Sequence, residues 1–429
     1  MTEAASPAGR RQPWTGGRGW FAIALWKRVL GALLCGVAVG ILWPSAAPHV
    51  SFLGDIFVRL IRMLVAPIVL VTIAAGVVSL ADPKRLGSLG LRTLLLFAST
   101  TLVAVAIGMM VALLMRPGMG ADLGAATPEP LGPARPVAEQ LIAIVPLNIV
   151  EALAKGDMLA LIFVAILLGA GTIAAGEAGQ PFARLLQSAS TVLLHIVRIV
   201  MEATPFGVFA LIANAVAANG VAIFATVGWL ALCVLIGSAI QAGIVHSLLI
   251  RIGARLPVAP FFRGIVDALA VAFATASSSA TLPVAMRVAA DNLGIARPLL
   301  STVLPIGASI GKDGTAMYVG LLSLFSLQAL GHSLHGADYA IILLTATLAA
   351  FGTAPVPSAS LFMLAAVLAA VGVDAAQTAL IVGLVLPFDR LLDMTRTVPS
   401  ATANLGVATT IARWEGAIDV ERYLSRPEA

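Results

Sequence analysis

Apolar residues run along this chain in long blocks, and the blocks define its elements. Nearly uninterrupted apolar stretches lie at about 20–43, 52–80, 90–115, 157–176, 181–217, 221–250, 297–331 and 375–414. A helix needs roughly 20 predominantly apolar residues to cross a bilayer. Most stretches reach that length, so the pattern predicts an all-α polytopic membrane protein with eight transmembrane helices, the longest tilted or broken. Two further stretches, 258–292 and 339–372, each divide into two apolar arms too short to cross fully. The first pair of arms meets at Thr275-Ala276-Ser277-Ser278-Ser279-Ala280-Thr281, the second around Gly352-Thr353-Ala354-Pro355-Val356-Pro357-Ser358-Ala359-Ser360. Non-helical backbone at membrane depth is tolerated only where it is buried or lines a cavity. The arms therefore predict two re-entrant hairpins with tips near mid-membrane. A pair of interrupted segments in corresponding positions points to the binding site of an inverted-repeat transporter.

Within the last stretch the polar residues are not scattered. Asp389, Asp393, Arg396, Thr397, Ser400 and Asn404 are spaced by 4, 3, 1, 3 and 4, which sets them on one helical face. An ionised residue at membrane depth costs roughly 2.5–3.5 kcal/mol on insertion scales, so such residues face a site rather than lipid. Asp393 and Arg396 suit the two ends of a zwitterion, a carboxylate for an ammonium and a planar fork for a carboxylate. The competing reading is an internal ion pair at i,i+3. It explains the hydroxyls along the same face less well. A third polar break, Gly311-Lys312-Asp313-Gly314-Thr315, interrupts the stretch 297–331 and reads as an unwound turn.

Composition narrows the function. The chain is 59% hydrophobic and 11% charged, against about 25% charged in soluble domains. Its net charge of +5 is loop charge, because no basic patch is interleaved with aromatics, and no nucleic-acid partner is expected. Two cysteines, Cys35 and Cys233, sit inside apolar runs and offer neither a disulfide framework nor a metal motif. With no HExxH, GxSxG or Walker loop, no enzyme, cofactor or bound metal is expected. Lys27 and Arg28 stand near the start of the first apolar stretch, which reads as a retained helix rather than a cleaved signal. Basic residues in the N-terminal tail, at Lys84 and Arg85, and at Arg251, Arg255 and Arg263 place those segments inside. Both termini are then cytoplasmic in a multi-pass protein of the inner (plasma) membrane. Arg59 and Arg62 read as interfacial anchors, and His195, Arg198 and Glu202 as a polar or snorkelling face. His246 shows no obvious partner.

Four segments then carry a resemblance. Ser277-Ser278-Ser279-Ala280-Thr281-Leu282-Pro283, Gly311 to Thr315, Gly352 to Pro357 and Asp389 to Thr397 occur in the order and spacing of the dicarboxylate/amino acid:cation symporters. The chain resembles that family over nearly its whole length. The resemblance implies a homotrimer in membrane lipid working as an elevator. Scaffold helices would lie in 20–89 and 146–220. The transport domain would comprise 90–116 and 221–417, with 117–145 an extracellular loop and 1–19 and 418–429 cytoplasmic tails. Arg396 matches the arginine that holds a side-chain carboxylate, and Asp393 the acid that holds the α-amino group. Ser278 and Thr315 match substrate-carboxylate contacts, and Thr397, Ser400 and the backbone near Val356 match pocket positions. Ser277, Ser279 and Ser360 complete the candidate substrate set. The implied cargo is L-aspartate or L-glutamate.

The family's sodium positions look altered. Gly311 and Lys312 replace an asparagine and a methionine, Asn404 an acid, Ser400 an asparagine and Phe97 a tyrosine, although Thr100 and Thr101 remain. Hard cations need several oxygen ligands, preferably with carboxylate charge. At about 4 Å and an effective dielectric of about 20, two unit charges interact by roughly 4 kcal/mol, so Lys312 is expected to stand in for a cation beside Asp313. The coupling set is thus Lys312, Asp313, Asp389, Asn404, Thr100 and Thr101. It implies sodium-independent transport driven by protons, with Lys312 itself a candidate carrier; Val319 stands where mammalian members carry a proton-binding glutamate. The alternatives are a sodium-coupled acidic amino acid symporter, a C4-dicarboxylate symporter of the same fold, and an anion channel.

Overall fold

A computed structural model of the chain describes residues 23, 25–80, 88–119, 145–155, 158–220, 223–332, 334–351 and 359–425. The described residues are helical apart from short connections, with one isolated β-bridge between Ile295 and Ile418. We number the longer helices α1 (Leu25–Leu42), α2 (Ala47–Leu80), α3 (Ser88–Met115), α4 (Met158–Ala174), α5 (Gln180–Met201) and α6 (Thr204–Asn219). α7 is composite. Ile223–Ala239 and His246–Leu248 are α-helical, while Ile240–Val245 and Leu249–Ala254 are π-helical. Then follow α8 (Val258–Thr275), α9 (Ser278–Asp291), α10 (Arg297–Ile310), α11 (Asp313–Ala329), α12 (Gly336–Phe351), α13 (Ala359–Ala370), α14 (Ala375–Trp414) and α15 (Val420–Leu424).

Among the described residues, three helical stretches are long and apolar enough to cross a membrane, Leu89–Met115, Ala225–Ala254 and Val258–Thr275. The bent pair Lys27–Leu42 and Pro44–Phe57, which turns through 113°, makes a fourth if counted as one span. Two expectations shift. The stretch 181–217 breaks between α5 and α6, because Pro205 has no N–H to donate and starts a new helix instead. The first hairpin arm, α8, has 18 residues, about 27 Å at 1.5 Å per residue, and is longer than a half-crossing arm. It is nonetheless paired with a returning helix. Asn292 donates to the Gly264 carbonyl at 2.7 Å and Arg287 meets Asp267 at 3.0 Å, so α9 runs back along α8.

The hairpin tip is narrower than the serine run implies. Only Ala276 and Ser277 separate the helices. Ala276 adopts φ 51°, a left-handed C-cap, and the Ser277 hydroxyl caps α9 by accepting from Ala280 N at 3.3 Å. Ser278 and Ser279 are already helical. The second tip, 352–358, lies outside the described residues, and with it Val356; its arms α12 and α13 pack together.

α3, α11 and α14 pack tightly where glycines let backbones meet. A Cβ on Gly108 would run into the Met317 carbonyl, and one on Gly314 into the Arg396 carbonyl. The core is continuous across these helices, from Val105 and Met109 through Met317 and Leu321 to Val385. In the amino-terminal part, buried Arg28 on α1 reaches Glu202 at 2.7 Å, so Glu202 serves an ion pair between helices, while exposed His195 bonds the Thr191 carbonyl one turn back. Arg59 is exposed. At the other end of the chain a tail strap closes the base of the first hairpin. The Tyr423 hydroxyl donates to Pro257 O at 2.7 Å, Asp419 N donates to Gly294 O at 2.9 Å, and Tyr423 is 1% exposed.

Candidate functional site

The polar face read from α14 exists. Asp389, Asp393, Arg396, Thr397, Ser400 and Asn404 are all buried. Arg396 is the centre of the first cluster. Its two terminal nitrogens reach Asp389 Oδ1 and Asp393 Oδ1, both at 2.9 Å. Its guanidinium lies 4.3 Å from the ring centroid of Tyr318, whose hydroxyl donates to Asp389 Oδ1 at 3.3 Å. The i,i+3 ion pair between Asp393 and Arg396 is therefore real. It sits inside a larger group of two acids, one cation and one aromatic face, and Asp389 is one of the two acids. Two atoms of the cluster, Arg396 Nε and Asp389 Oδ2, are buried with no partner among the described residues. A buried donor or acceptor left unpaired costs about 1–3 kcal/mol, so the cluster has bonding capacity to offer a ligand.

Around it, Thr397 donates to the Asp393 carbonyl at 2.6 Å, and the Ser400 hydroxyl accepts from Gly314 N at 3.1 Å. Ser400 thus ties α14 to the first turn of α11. Arg390 reaches the Thr275 carbonyl at 3.5 Å, which sets the first hairpin tip against α14. Ser278 is buried, Ser277 and Thr315 are half-buried and Ser279 is exposed. Ser360, at the head of α13, is fully buried with its hydroxyl unpartnered among the described residues.

The break between α10 and α11 falls at Gly311 and Lys312, as the sequence implies. Lys312 is 4% exposed, yet among the described residues it forms no ion pair with Asp313. Asp313 is held instead by four donors. Thr100 and Thr101 donate to Oδ1 at 3.2 and 2.9 Å, and Gln241 Nε2 and His246 Nε2 meet Oδ2 at 3.0 and 3.1 Å. Gln241, His246 and Tyr318 are missing from the candidate site residues read from the sequence, and His246, which shows no obvious partner there, has one in Asp313.

Asn404 makes a third arrangement. With its nitrogen turned to the helix break, its amide donates to Gly307 O at 3.0 Å and Gly311 O at 3.2 Å. The opposite orientation would set three oxygens against one another. Phe97, fully buried, closes the same spot, and a Cβ on Gly311 would collide with the Asn404 amide. Two carbonyls and a side-chain oxygen would invite a cation; two carbonyls and a side-chain N–H are already satisfied. Asn404→Asp is accordingly expected to lose about 1–3 kcal/mol of stability in choline chloride and to recover part of it in sodium chloride, read by thermal unfolding.

Among the described residues no group of three or more His, Cys, Asp or Glu side chains could hold a metal ion. Residues 25–414 match the model of the sodium:dicarboxylate symporter family. A proton/sodium-glutamate symport protein of Bacillus subtilis (strain 168) is 32% identical over 401 residues, covering 91% of this chain and 92% of the relative. A C4-dicarboxylate transport protein of Anaeromyxobacter sp. (strain K) is 33% identical over 410 residues, covering 94% and 92%. One of the same description from Rhizobium johnstonii is 31% identical over 408 residues, covering 93% and 90%. The polar face of α14, the broken helix at Gly311 and the match across nearly the whole chain lead to one conclusion: this multi-pass membrane protein belongs to the sodium:dicarboxylate symporter family.

Proposed function

We propose that the protein is a secondary active transporter of acidic amino acids, aspartate or glutamate, that works without sodium and is driven by protons. The observation that carries the cargo is the Arg396 cluster. A guanidinium with an unpaired Nε suits the carboxylate of a zwitterion, and the two buried acids beside it, Asp389 and Asp393, suit its ammonium. Asp393, 5% exposed and one turn from Arg396, is the acid for the ammonium. The relative from Bacillus subtilis is described as a glutamate symporter, which supports the same cargo.

Sodium independence is supported by the tethered donors at both oxygen-rich positions and by Lys312, a buried cation at the helix break. Protons are then the remaining common driving ion. The working cycle is an elevator movement of α3 and α7–α14 against a scaffold of α1, α2 and α4–α6, within a homotrimer of the inner membrane with both termini cytoplasmic. A C4-dicarboxylate cargo is the second reading. It draws on the ion pair between Asp393 and Arg396, since an acid already neutralised inside the protein is less available to an ammonium.

The test is uptake of labelled L-aspartate, L-glutamate and succinate into proteoliposomes under a sodium gradient, a proton gradient or neither, with the membrane potential clamped. Amino acid uptake that follows the proton gradient and ignores sodium is expected. Uptake that requires sodium overturns the coupling, and uptake of succinate alone overturns the cargo.

A further inference from the structure

Asp313 is surrounded by the kind of oxygen set that a hard cation uses. Its own carboxylate, the Thr100 and Thr101 hydroxyls and the Thr100 carbonyl converge within one buried pocket between α3, α7 and α11. Such a set, with one formal charge and neutral oxygens, is a natural sodium or lithium site. Nitrogen donors from α7 occupy the second carboxylate oxygen of Asp313, Oδ2, while the hydroxyls hold Oδ1. Gln241 Nε2 lies 3.0 Å from Asp313 Oδ2, 3.4 Å from the Thr100 carbonyl and 3.3 Å from His246 Nε2, and His246 Nε2 lies 3.1 Å from the same carboxylate oxygen. The Gln241 amide therefore bridges a carboxylate and a carbonyl as a small cation would.

The backbone is bent to make this possible. Residues five apart subtend about 140° on an α-helix and face different ways. The π-helical turn Ile240–Val245 closes that angle and brings Gln241 and His246 to one carboxylate. The pair is not there for packing alone. Gln241 Oε1 and His246 Nδ1 are both buried without a partner among the described residues, a cost that a leucine or methionine at either position would avoid.

We propose that Gln241 and His246 are built-in occupants of the oxygen cluster around Asp313, closing it to free sodium, and that removing either one opens a sodium-responsive site. The inference rests on the sodium-independent reading above and assigns that property to residues other than Lys312. Both act through Asp313 and are positioning residues.

The experiment is thermal unfolding of the full-length protein in detergent, in sodium chloride against choline chloride at equal ionic strength. Wild type and His246→Gln, which keeps an N–H donor, are expected to unfold at the same temperature in both salts. Gln241→Ala and His246→Ala are expected to gain a sodium-specific rise of roughly 2–4 °C at saturating salt. A rise in wild type overturns the sodium-independent reading itself. Indifference of wild type together with indifference of both alanine variants overturns this inference alone. If an alanine variant is recovered folded only when purified in sodium, the inference holds; if neither is recovered in either salt, it is overturned, because an opened cluster would be refilled by the ion.

Discussion

Arg396→Ala is expected to abolish uptake of acidic substrates and to destabilise the protein by about 3–5 kcal/mol. Both effects come from the same two carboxylates. Asp389 and Asp393 are 0% and 5% exposed and share Arg396 as their cation, so its removal strands two buried negative charges. Breaking a buried pair by deleting one partner has about that cost. The loss of function exceeds the loss of stability, because the guanidinium is also the fork proposed for the substrate carboxylate. Truncating one side of a desolvated charge pair costs 2–5 kcal/mol or more of binding, so affinity falls roughly 100-fold or further. Arg396→Lys separates the two effects. It keeps the charge, and with it most of the stability, but it cannot reach two carboxylates and a ligand from one plane or lie flat on Tyr318. Uptake near background from a lysine variant of nearly normal unfolding temperature would establish the geometric role. Normal uptake by that variant would remove Arg396 from the binding site.

Gly314→Ala is expected to be the most damaging glycine-to-alanine change among the described residues. The added carbon would fall on the Arg396 carbonyl and carbonyl carbon, which are backbone atoms with no rotamer to give. Accommodating it requires α11 and α14 to move apart at the point where Gly314 N donates to Ser400. Overpacking costs about 1–3 kcal/mol, and lies at or above the top of that range where the neighbour is fixed backbone. The separation would also draw Tyr318 away from Arg396. The outcome is low recovery of folded protein and no measurable uptake in what is recovered. Wild-type recovery and uptake would mean that these helices are not in contact at Gly314.

Features that repeat with the α-helical period were legible without coordinates. The spacing of Asp389, Asp393, Arg396, Thr397, Ser400 and Asn404 is that of one face, and that face is buried. The break at Gly311 and Lys312 was legible because charge and glycine together interrupt an apolar run. Other features were hidden for identifiable reasons. Three serines in a row read as loop, yet serine is also a favoured N-cap, and Ser277 caps a helix that contains the other two. Gln241 and His246 stand five apart in an otherwise uncharged run, and only a π-helical turn gives that spacing a common face. Tyr318 sits in an apolar helix where nothing local marks it; its role depends on an arginine from α14. Lys312 precedes Asp313 in sequence, but adjacent residues on a helix end point in different directions, so neighbouring numbers do not make an ion pair.

The tail strap bears on the order in which the chain is made. Tyr423 bonds to Pro257 across 166 residues, and Asp419 to Gly294 across 125. Contacts of such separation form late, and domains assemble from the amino-terminal end during synthesis. The first hairpin leaves the ribosome long before the residues that close its base. Until translation reaches the strap, α8 and α9 must be held by each other, by the helices already made and by the bilayer. A chain cut before Asp419 would then yield a hairpin that is made, inserted and never latched.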